Sequence, residues 1–209
     1  MIFNFVAMNI SFGKKIPIYQ THVLNKETNQ FQTATLSELD CKDYDDIEYL
    51  INQTGAWEFK YPLTVDMHTK NMRLKNYEKL SPVEKEYIDE NKFYVLESPE
   101  KELIGICETT GFRDRANIHF LETIKQQKEK YKFSGQSILA SVAKHLLSQS
   151  DNPLLQIYDP AYDAKKFYTE KCGFVNSEGS SLVLTKAGME NLISTVEQRT
   201  QSQIIDLQA

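Results

Sequence analysis

The sequence predicts an α/β protein, or α+β by looser usage, built around one folding unit. Three observations carry this prediction. Helix and strand signals alternate along most of the chain. Its 209 residues match one domain of ordinary size. The apolar share of 41% is typical of a chain that buries its own core without a metal or disulfide.

The N-terminal part of the chain predicts a hairpin followed by helices. Residues 16–24 and 30–36 are rich in Ile, Val, Thr and Tyr, and the polar residues 25–29 between them are typical of a turn. Residues 43–52 carry apolar side chains at helical spacing. Ser81 followed by proline indicates another helix start, because serine caps a helix and proline is tolerated at its first position.

The rest of the chain alternates short strands with helices. The helix at 134–148 has the strongest signal, since Ile138, Leu139, Val142 and Leu146 would lie on one face. The other predicted elements are strands at 92–97, 103–109, 117–124, 154–158 and 181–185, a helix at 161–171 that ends at Gly173, and a C-terminal helix that begins near 186.

The charge and the residue composition exclude several classes of function. A net charge of −5 and an isoelectric point near 5.5 argue against nucleic acid as a partner. There is no run of 18 apolar residues, and residues 1–8 lack the basic start of a signal peptide, so no membrane association is expected. The widely spaced Cys41, Cys107 and Cys172 predict neither a metal site nor a disulfide, which fits the reducing cytoplasm.

A glycine-containing segment, Lys132-Phe-Ser-Gly-Gln-Ser137, joins a predicted strand to the long helix. Gly135 has no side chain, so a ligand can approach the backbone closely there. The free N–H groups of a helix's first turn favour an anion, since the helix dipole is positive at that end. The alternative is an ordinary helix start with Ser134 as the N-cap.

A second pattern places Ala164, Phe167 and Tyr168 shortly before Gly173 and Phe174. Taken alone, the aromatic pair is typical of core residues in a helix that a glycine ends. The order of the patterns favours a functional interpretation over this one. Along the chain, a strand is followed by the glycine loop, an amphipathic helix, another strand and the aromatic helix.

In these patterns the sequence resembles the GNAT acyl-CoA-dependent N-acyltransferases. The family's pyrophosphate loop has a central glycine, which Gly135 matches, and its later helix has Ala-x-x-Phe-Tyr followed by Gly-Phe, which this chain matches with one extra residue. The resemblance covers residues 30–186 and implies a mixed, largely antiparallel sheet flanked by helices on both faces. Residues 1–29 would be an N-terminal arm with an extra hairpin strand, and residues 187–209 a C-terminal helix and tail.

The resemblance implies that acetyl-CoA is a co-substrate and that an amine, on a small molecule or a protein, is the acceptor. The donor would lie in a V-shaped gap between the strands at 117–124 and 154–158. No metal is expected to take part, and a homodimer is compatible with the sequence. The resemblance also implies donor-binding residues: Ile124, Lys132, Phe133, Ser134, Gly135, Gln136, Ser137, Ala164 and Phe167.

The resemblance implies two catalytic residues. Tyr168 matches a tyrosine that often protonates the departing thiolate, and a phenol with a pKa near 10 stays protonated at pH 7. The alternative is a tyrosine that only packs its helix on the sheet. The general base would be Glu122, or else Glu108 on the preceding strand. Strand alternation predicts that His119 faces away from Glu122.

The sequence departs from the family pattern at three positions. Lys132 stands where Gln or Arg is usual, Ser137 where Gly or Ala is usual, and Ala161 where Asn is usual. These departures support a second hypothesis from a different class: a degenerate member that binds acyl-CoA or a partner protein without turnover.

Two charged runs have two interpretations each. The acidic side chains between Glu38 and Glu48 could attract a cationic amine, or they could form a solvated helix face. The lysines at 125–132 could contact the phosphates of the coenzyme, or they could lie in a mobile surface loop.

Overall fold

The structure, a computed structural model, describes residues 15–39, 75–111 and 114–206. The strands are β1 (Ile16–Asn25), β2 (Gln30–Leu39), β3 (Asn91–Glu97), β4 (Leu103–Thr110), β5 (Arg115–Thr123), β6 (Tyr131–Lys132), β7 (Leu154–Ile157), β8 (Val175–Asn176) and β9 (Leu182–Leu184). The helices are α1 (Pro82–Glu90), α2 (Lys125–Lys130), α3 (Ser134–Gln149), α4 (Tyr162–Lys166) and α5 (Lys186–Asp206).

One nine-stranded sheet has the order β6-β1-β2-β3-β4-β5-β7-β9-β8. Every neighbouring pair is antiparallel except β5 and β7, which run parallel. The crossover that a parallel pair needs is formed by α2, β6 and α3. The predicted mixed, largely antiparallel sheet is therefore confirmed.

The parallel pair of strands is short. Residues 115–117 of β5 pair with 154–156 of β7, and within the described chain this ladder goes no further, because β7 ends at Ile157. β5 continues for six residues beyond Asn117 and pairs there with β4 on its other side. The V-shaped gap between these strands stays a prediction.

Helices cover both faces of the sheet. The larger core cluster joins α3 and α5 to one face, with Leu36, Leu96, Ile138 and Leu184 fully buried. The smaller cluster on the other face includes Ile88 of α1. Neighbouring residues of β3 alternate between the two clusters, as side chains of a strand do. The prediction of helices on both faces is confirmed.

Most elements lie where the sequence predicts them. The hairpin of β1 and β2 and the long helix α3 are confirmed, and the capping box at the start of α1 agrees with the predicted helix start. The lysine run is an exception, because residues 125–130 form helix α2 rather than a loop. The predicted helix at 43–52 and the acidic run beyond Glu38 lie outside the described residues.

Candidate functional site

Helix α3 begins without a capping side chain. Its N-cap is Phe133, whose backbone has the left-handed conformation with φ of 67°, and no side chain bonds to the first turn. The first backbone bond of the helix joins the Ser137 N–H to the Phe133 carbonyl at 2.9 Å. The N–H groups of Ser134, Gly135 and Gln136 have no acceptor among the described residues. The alternative prediction that Ser134 is the N-cap is wrong, since Ser134 is the first helical residue.

Two small residues of the first turn meet other elements. The Ser134 side chain is buried, with 4% of the residue exposed, and its Oγ has no hydrogen-bond partner in the described structure. Gly135 lies against the ring of Phe167, and a Cβ at this glycine would be 3.0 Å from the ring's Cζ. The missing side chain of Gly135 therefore makes room for the aromatic helix.

The side chains of the next two residues tie this end of α3 to the rest of the molecule. The Gln136 amide nitrogen donates to the Lys171 carbonyl, and its Oε1 accepts from Arg199 Nη1 at 2.8 Å. The Ser137 hydroxyl donates to the His22 carbonyl of β1 at 2.6 Å. At these two positions the side chains are already engaged within the protein.

The remaining residues predicted for the donor side are positioned by the sheet. Lys132 lies in β6, pairs with Leu24 and is exposed, while the Phe133 ring stacks on Phe31. Ile124 is buried in the smaller core cluster. The Ile124 N–H donates to the Ile104 carbonyl, and the Ile124 carbonyl accepts from the start of α2. Ile124 is therefore not brought to the start of α3.

The lysines of the run are partly paired with carboxylates. Lys128 forms an ion pair with Glu122, and Lys130 forms one with Glu102 at 2.6 Å. The helix at 125–130 contradicts the interpretation as a loop, and the phosphate contact stays a prediction.

The aromatic helix contains a wide turn. After α4, residues Phe167–Lys171 form a π-helical turn, and the Phe174 N–H then donates to the Tyr168 carbonyl at 3.0 Å. Gly173 has φ of +78° and ends the helix. A π-helical turn holds one residue more than an α-helical turn, so it takes up the extra residue of the motif. Ala164, one turn earlier, packs against the larger core.

Tyr168 is buried between two other aromatic rings. It is 7% exposed, with edge-on contacts to Phe167 at 5.2 Å and Phe174 at 5.6 Å between ring centroids. Burial raises the pKa of the Tyr168 hydroxyl, and the nearby Cys107, Cys172 and Glu122 raise it further. The expectation of a pKa near 10 is therefore wrong, but the phenol remains protonated at neutral pH. Its hydroxyl has no hydrogen bond to any described residue.

The two carboxylates considered as bases have different surroundings. The Glu122 side chain is 21% exposed and ion-paired with Lys128, and its charge reaches the Tyr168 hydroxyl. Glu108 is 1% exposed and lies between Phe93 of β3 and Phe120 of β5 in the sheet.

A β-bulge changes the orientation of His119. Thr109 pairs with Ile118 and Glu108 with Phe120, which leaves His119 as the extra residue of β5. The His119 ring bonds to the Thr110 hydroxyl, and Thr110 lies on the same face as Ile106, the partner of Glu122. The prediction that His119 faces away from Glu122 is wrong, because strand alternation fails at a bulge.

The fold was compared with proteins of known structure. No family model matches the sequence, and no curated protein matches it. Two chimeras of the spermidine N-acetyltransferase SpeG from Vibrio cholerae and hSSAT match with TM-scores of 0.51 and 0.50. Both are 15% identical to this chain, and each match covers 76% of this chain and 98% of the other. The chain has the GNAT fold.

Within the GNAT fold, the structure brings together one group of the predicted residues. Phe133 to Ser137, Phe167 and Tyr168 meet where α3 begins beside the aromatic helix. Arg199 of α5 also lies there, and nothing in the sequence indicates it, because it belongs to a polar, Gln-rich helix. Only its position in the folded chain identifies it.

The described residues were also searched for metal-binding clusters and for helices that could span a membrane. They include no cluster of three or more His, Cys, Asp or Glu side chains that could hold a metal ion. None of the helices described is both long enough and apolar enough to span a membrane.

Proposed function

We propose that this chain is an N-acetyltransferase that moves an acetyl group from acetyl-CoA to a primary amine by direct attack. The observation that carries the proposal is the uncapped start of α3 beside the buried Tyr168, on a GNAT fold. The two solved structures reported above are spermidine N-acetyltransferases by name, which supports a small amine as acceptor.

The donor's diphosphate would bind at the first turn of α3. The three N–H groups of Ser134, Gly135 and Gln136 can donate to phosphate oxygens, and the helix dipole favours their negative charge. Phe167 packs against Gly135 and fixes the position of this turn. The acyl arm would extend into the predicted gap between β5 and β7.

The reaction needs one proton removed and one supplied. A base takes a proton from the acceptor's ammonium group, and the amine nitrogen then attacks the thioester carbonyl carbon. The carbon–sulfur bond breaks, and Tyr168 gives its hydroxyl proton to the departing thiolate. Burial keeps Tyr168 protonated until that moment, since the raised pKa opposes early ionisation. The proposal uses neither a metal nor a covalent intermediate.

Glu122 is the proposed base, with Glu108 as the alternative. The ion pair with Lys128 holds the Glu122 side chain in place, and its charge reaches the Tyr168 hydroxyl. Glu108 is deeper in the sheet, so it would need a water molecule or a side-chain neighbour to receive the proton.

The decisive experiment changes one atom of the proposed acid. Tyr168→Phe keeps the ring and its two aromatic contacts but removes the hydroxyl. We expect turnover of acetyl-CoA, measured as free thiol with a panel of amines, to fall about a hundredfold to ten-thousandfold. Coenzyme binding should change little, because the lost interaction matters mainly in the transition state.

Tyr94→Phe is the matched control, since Tyr94 is another buried tyrosine of the same core. This variant should keep its turnover and its coenzyme affinity. Wild-type turnover in Tyr168→Phe would assign the acid role to water or another residue.

The second candidate function is coenzyme binding without turnover. The ion pair between Glu122 and Lys128 favours it, because it already engages the proposed base, and Ala161 offers no capping side chain at the start of α4. Coenzyme A binding without thiol release across the whole amine panel would select this function. A location in the cytoplasm and a homodimer remain predictions.

A further inference from the structure

The C-terminal helix places a cation at the start of α3. The Arg199 guanidinium carbon lies 4.6 Å from the centre of the Phe133 ring, and Nη1 donates to Gln136 Oε1 at 2.8 Å. Its charge also reaches the Cys172 thiol in the aromatic helix. Arg199 therefore contacts the same turn that carries the three free N–H groups.

The Phe133 ring and Gln136 hold the guanidinium by favourable contacts, but its charge lies at the positive end of a helix. The start of a helix carries a partial positive charge, so a cation is disfavoured there and an anion is favoured. Among the described residues no carboxylate forms an ion pair with Arg199. A guanidinium group has five N–H donors, and Gln136 accepts from only one nitrogen.

A second observation also indicates a ligand at this place. The Ser134 hydroxyl is buried on the same first turn, with 4% of the residue exposed and no partner among the residues described. A buried hydroxyl without a hydrogen bond is costly, and each such group in a native structure requires an explanation. The turn thus combines three backbone donors, a hydroxyl and a guanidinium.

We propose that Arg199 binds the diphosphate of the acyl-CoA donor together with the first turn of α3. The planar guanidinium fork matches two phosphate oxygens at once, which a lysine cannot do. Lys132, at the position where the family has Gln or Arg, lies in β6 with its backbone paired to Leu24 of β1 and its side chain exposed. The inference rests on the proposed function and adds α5 to the site, although α5 lies outside the region of resemblance.

The experiment compares probes with and without the nucleotide part of the donor. Coenzyme A carries the diphosphate and an adenosine 3′-phosphate, and pantetheine carries neither, so a contact to this part should affect only the first. An equal loss with dephospho-coenzyme A, which keeps the diphosphate but lacks the 3′-phosphate, assigns the contact to the diphosphate. In Arg199→Gln we expect the affinity for coenzyme A, measured by titration calorimetry, to fall tenfold or more. The affinity for pantetheine should stay within twofold of wild type.

Lys144→Gln is the charge-matched control. Lys144 is on α3 and pairs with Glu197 of α5 at 3.1 Å, so the variant also removes one positive charge between the same two helices. It should leave both affinities within twofold. Equal coenzyme A affinity in wild type and Arg199→Gln would overturn the inference, and so would an equal loss for both probes, which indicates a structural role.

A measurement on the wild-type chain covers the case in which Arg199→Gln does not fold. Phenylglyoxal modifies exposed guanidinium groups, and mass spectrometry reports each arginine separately. Coenzyme A should protect Arg199 at least fivefold, pantetheine should not, and Arg115 at the exposed start of β5 is the internal reference. Absence of protection in a chain that binds coenzyme A overturns the role of Arg199 alone. A wild-type chain that binds no coenzyme A overturns the proposed function as well.

Discussion

Two helices of this molecule begin in opposite ways. At α1, the Ser81 hydroxyl accepts from the Glu84 N–H at 3.4 Å, the Glu84 carboxylate accepts from the Ser81 N–H at 3.0 Å, and Pro82 occupies the first position. At α3, the N-cap is a phenylalanine in a left-handed conformation and no side chain closes the turn.

The difference separates a helix start that the protein closes itself from the start at which we propose that a ligand binds. Every helix begins with N–H groups that lack an intrahelical acceptor. The start of α1 is exposed and closes itself with a reciprocal pair of side chains, while the start of α3 is packed against Phe31, Phe167 and Arg199 with its donors open. An internal cap at α3 would occupy the position that we assign to a diphosphate.

The largest expected effect concerns two buried thiols in the core beside α3. The aromatic helix next to α3 contains buried Cys172, and Cys107 lies near Tyr168 in the same core. Burial raises the pKa of Cys172 to about 12 and that of Cys107 further, from an ordinary value of 9.0. Above pH 9 the unfolded thiols lose protons that the folded ones keep, so stability falls as the pH rises.

Urea unfolding between pH 7 and 11 measures this loss. We expect the free energy of unfolding to be independent of these thiols below pH 9. It should then fall by about 1.4 kcal/mol per pH unit for each thiol. Cys172→Ala removes one of the two and should reduce the slope by about that amount, whatever its effect on the midpoint. A free energy of unfolding that stays constant up to pH 11 would show that water reaches these two thiols in the folded chain.

The second effect tests whether coenzyme A binds at the uncapped start of α3. Coenzyme A at a hundred times its dissociation constant should stabilise the chain by about 2.7 kcal/mol, which corresponds to a rise of several degrees in Tm. Gly135→Ala should reduce this shift, because the new Cβ would press on the Phe167 ring at the donor turn. Ser81→Ala should show the full shift, and the comparison between the helices fails if both variants respond alike.

The smallest effect separates the two serines directly. Ser81→Ala should lower the free energy of unfolding by about 1 kcal/mol, because it removes an N-cap, and should leave coenzyme affinity unchanged. Ser134→Ala should raise the free energy of unfolding of the ligand-free chain, because it removes a buried hydroxyl that has no partner among the described residues. It should also weaken coenzyme binding. Thermal unfolding and calorimetry on the same two variants measure both quantities.

The sequence predicts those parts of the fold that have periodic or local signals. The hairpin follows from its β-branched composition, the start of α1 from Ser81 and Pro82, and α3 from one apolar face. The structure also brings the two motifs of the resemblance into contact, through Gly135 and Phe167.

Other features leave no such signal. A two-residue strand such as β6 has no periodicity, and it forms only because β1 lies beside it. The bulge at His119 depends on the register with β4, which no local pattern sets. Arg199 occurs in a polar helix whose turns look alike, and its neighbours come from residues 133–136, more than sixty positions earlier. Tertiary packing determines strand β6, the bulge at His119 and the position of Arg199.

The anchoring of α3 to β1 has a consequence for how the chain folds. Ser137 bonds to His22 across 115 positions of sequence, and Lys26 bonds to the end of α2 across about as many. Closing such long loops is slow, because their entropy is lost before the contacts form. We therefore expect the open turn of α3 to take its final position after the hairpin and the crossover have met. The proposed coenzyme site would then form late in folding, after residues 130–137 have been synthesised.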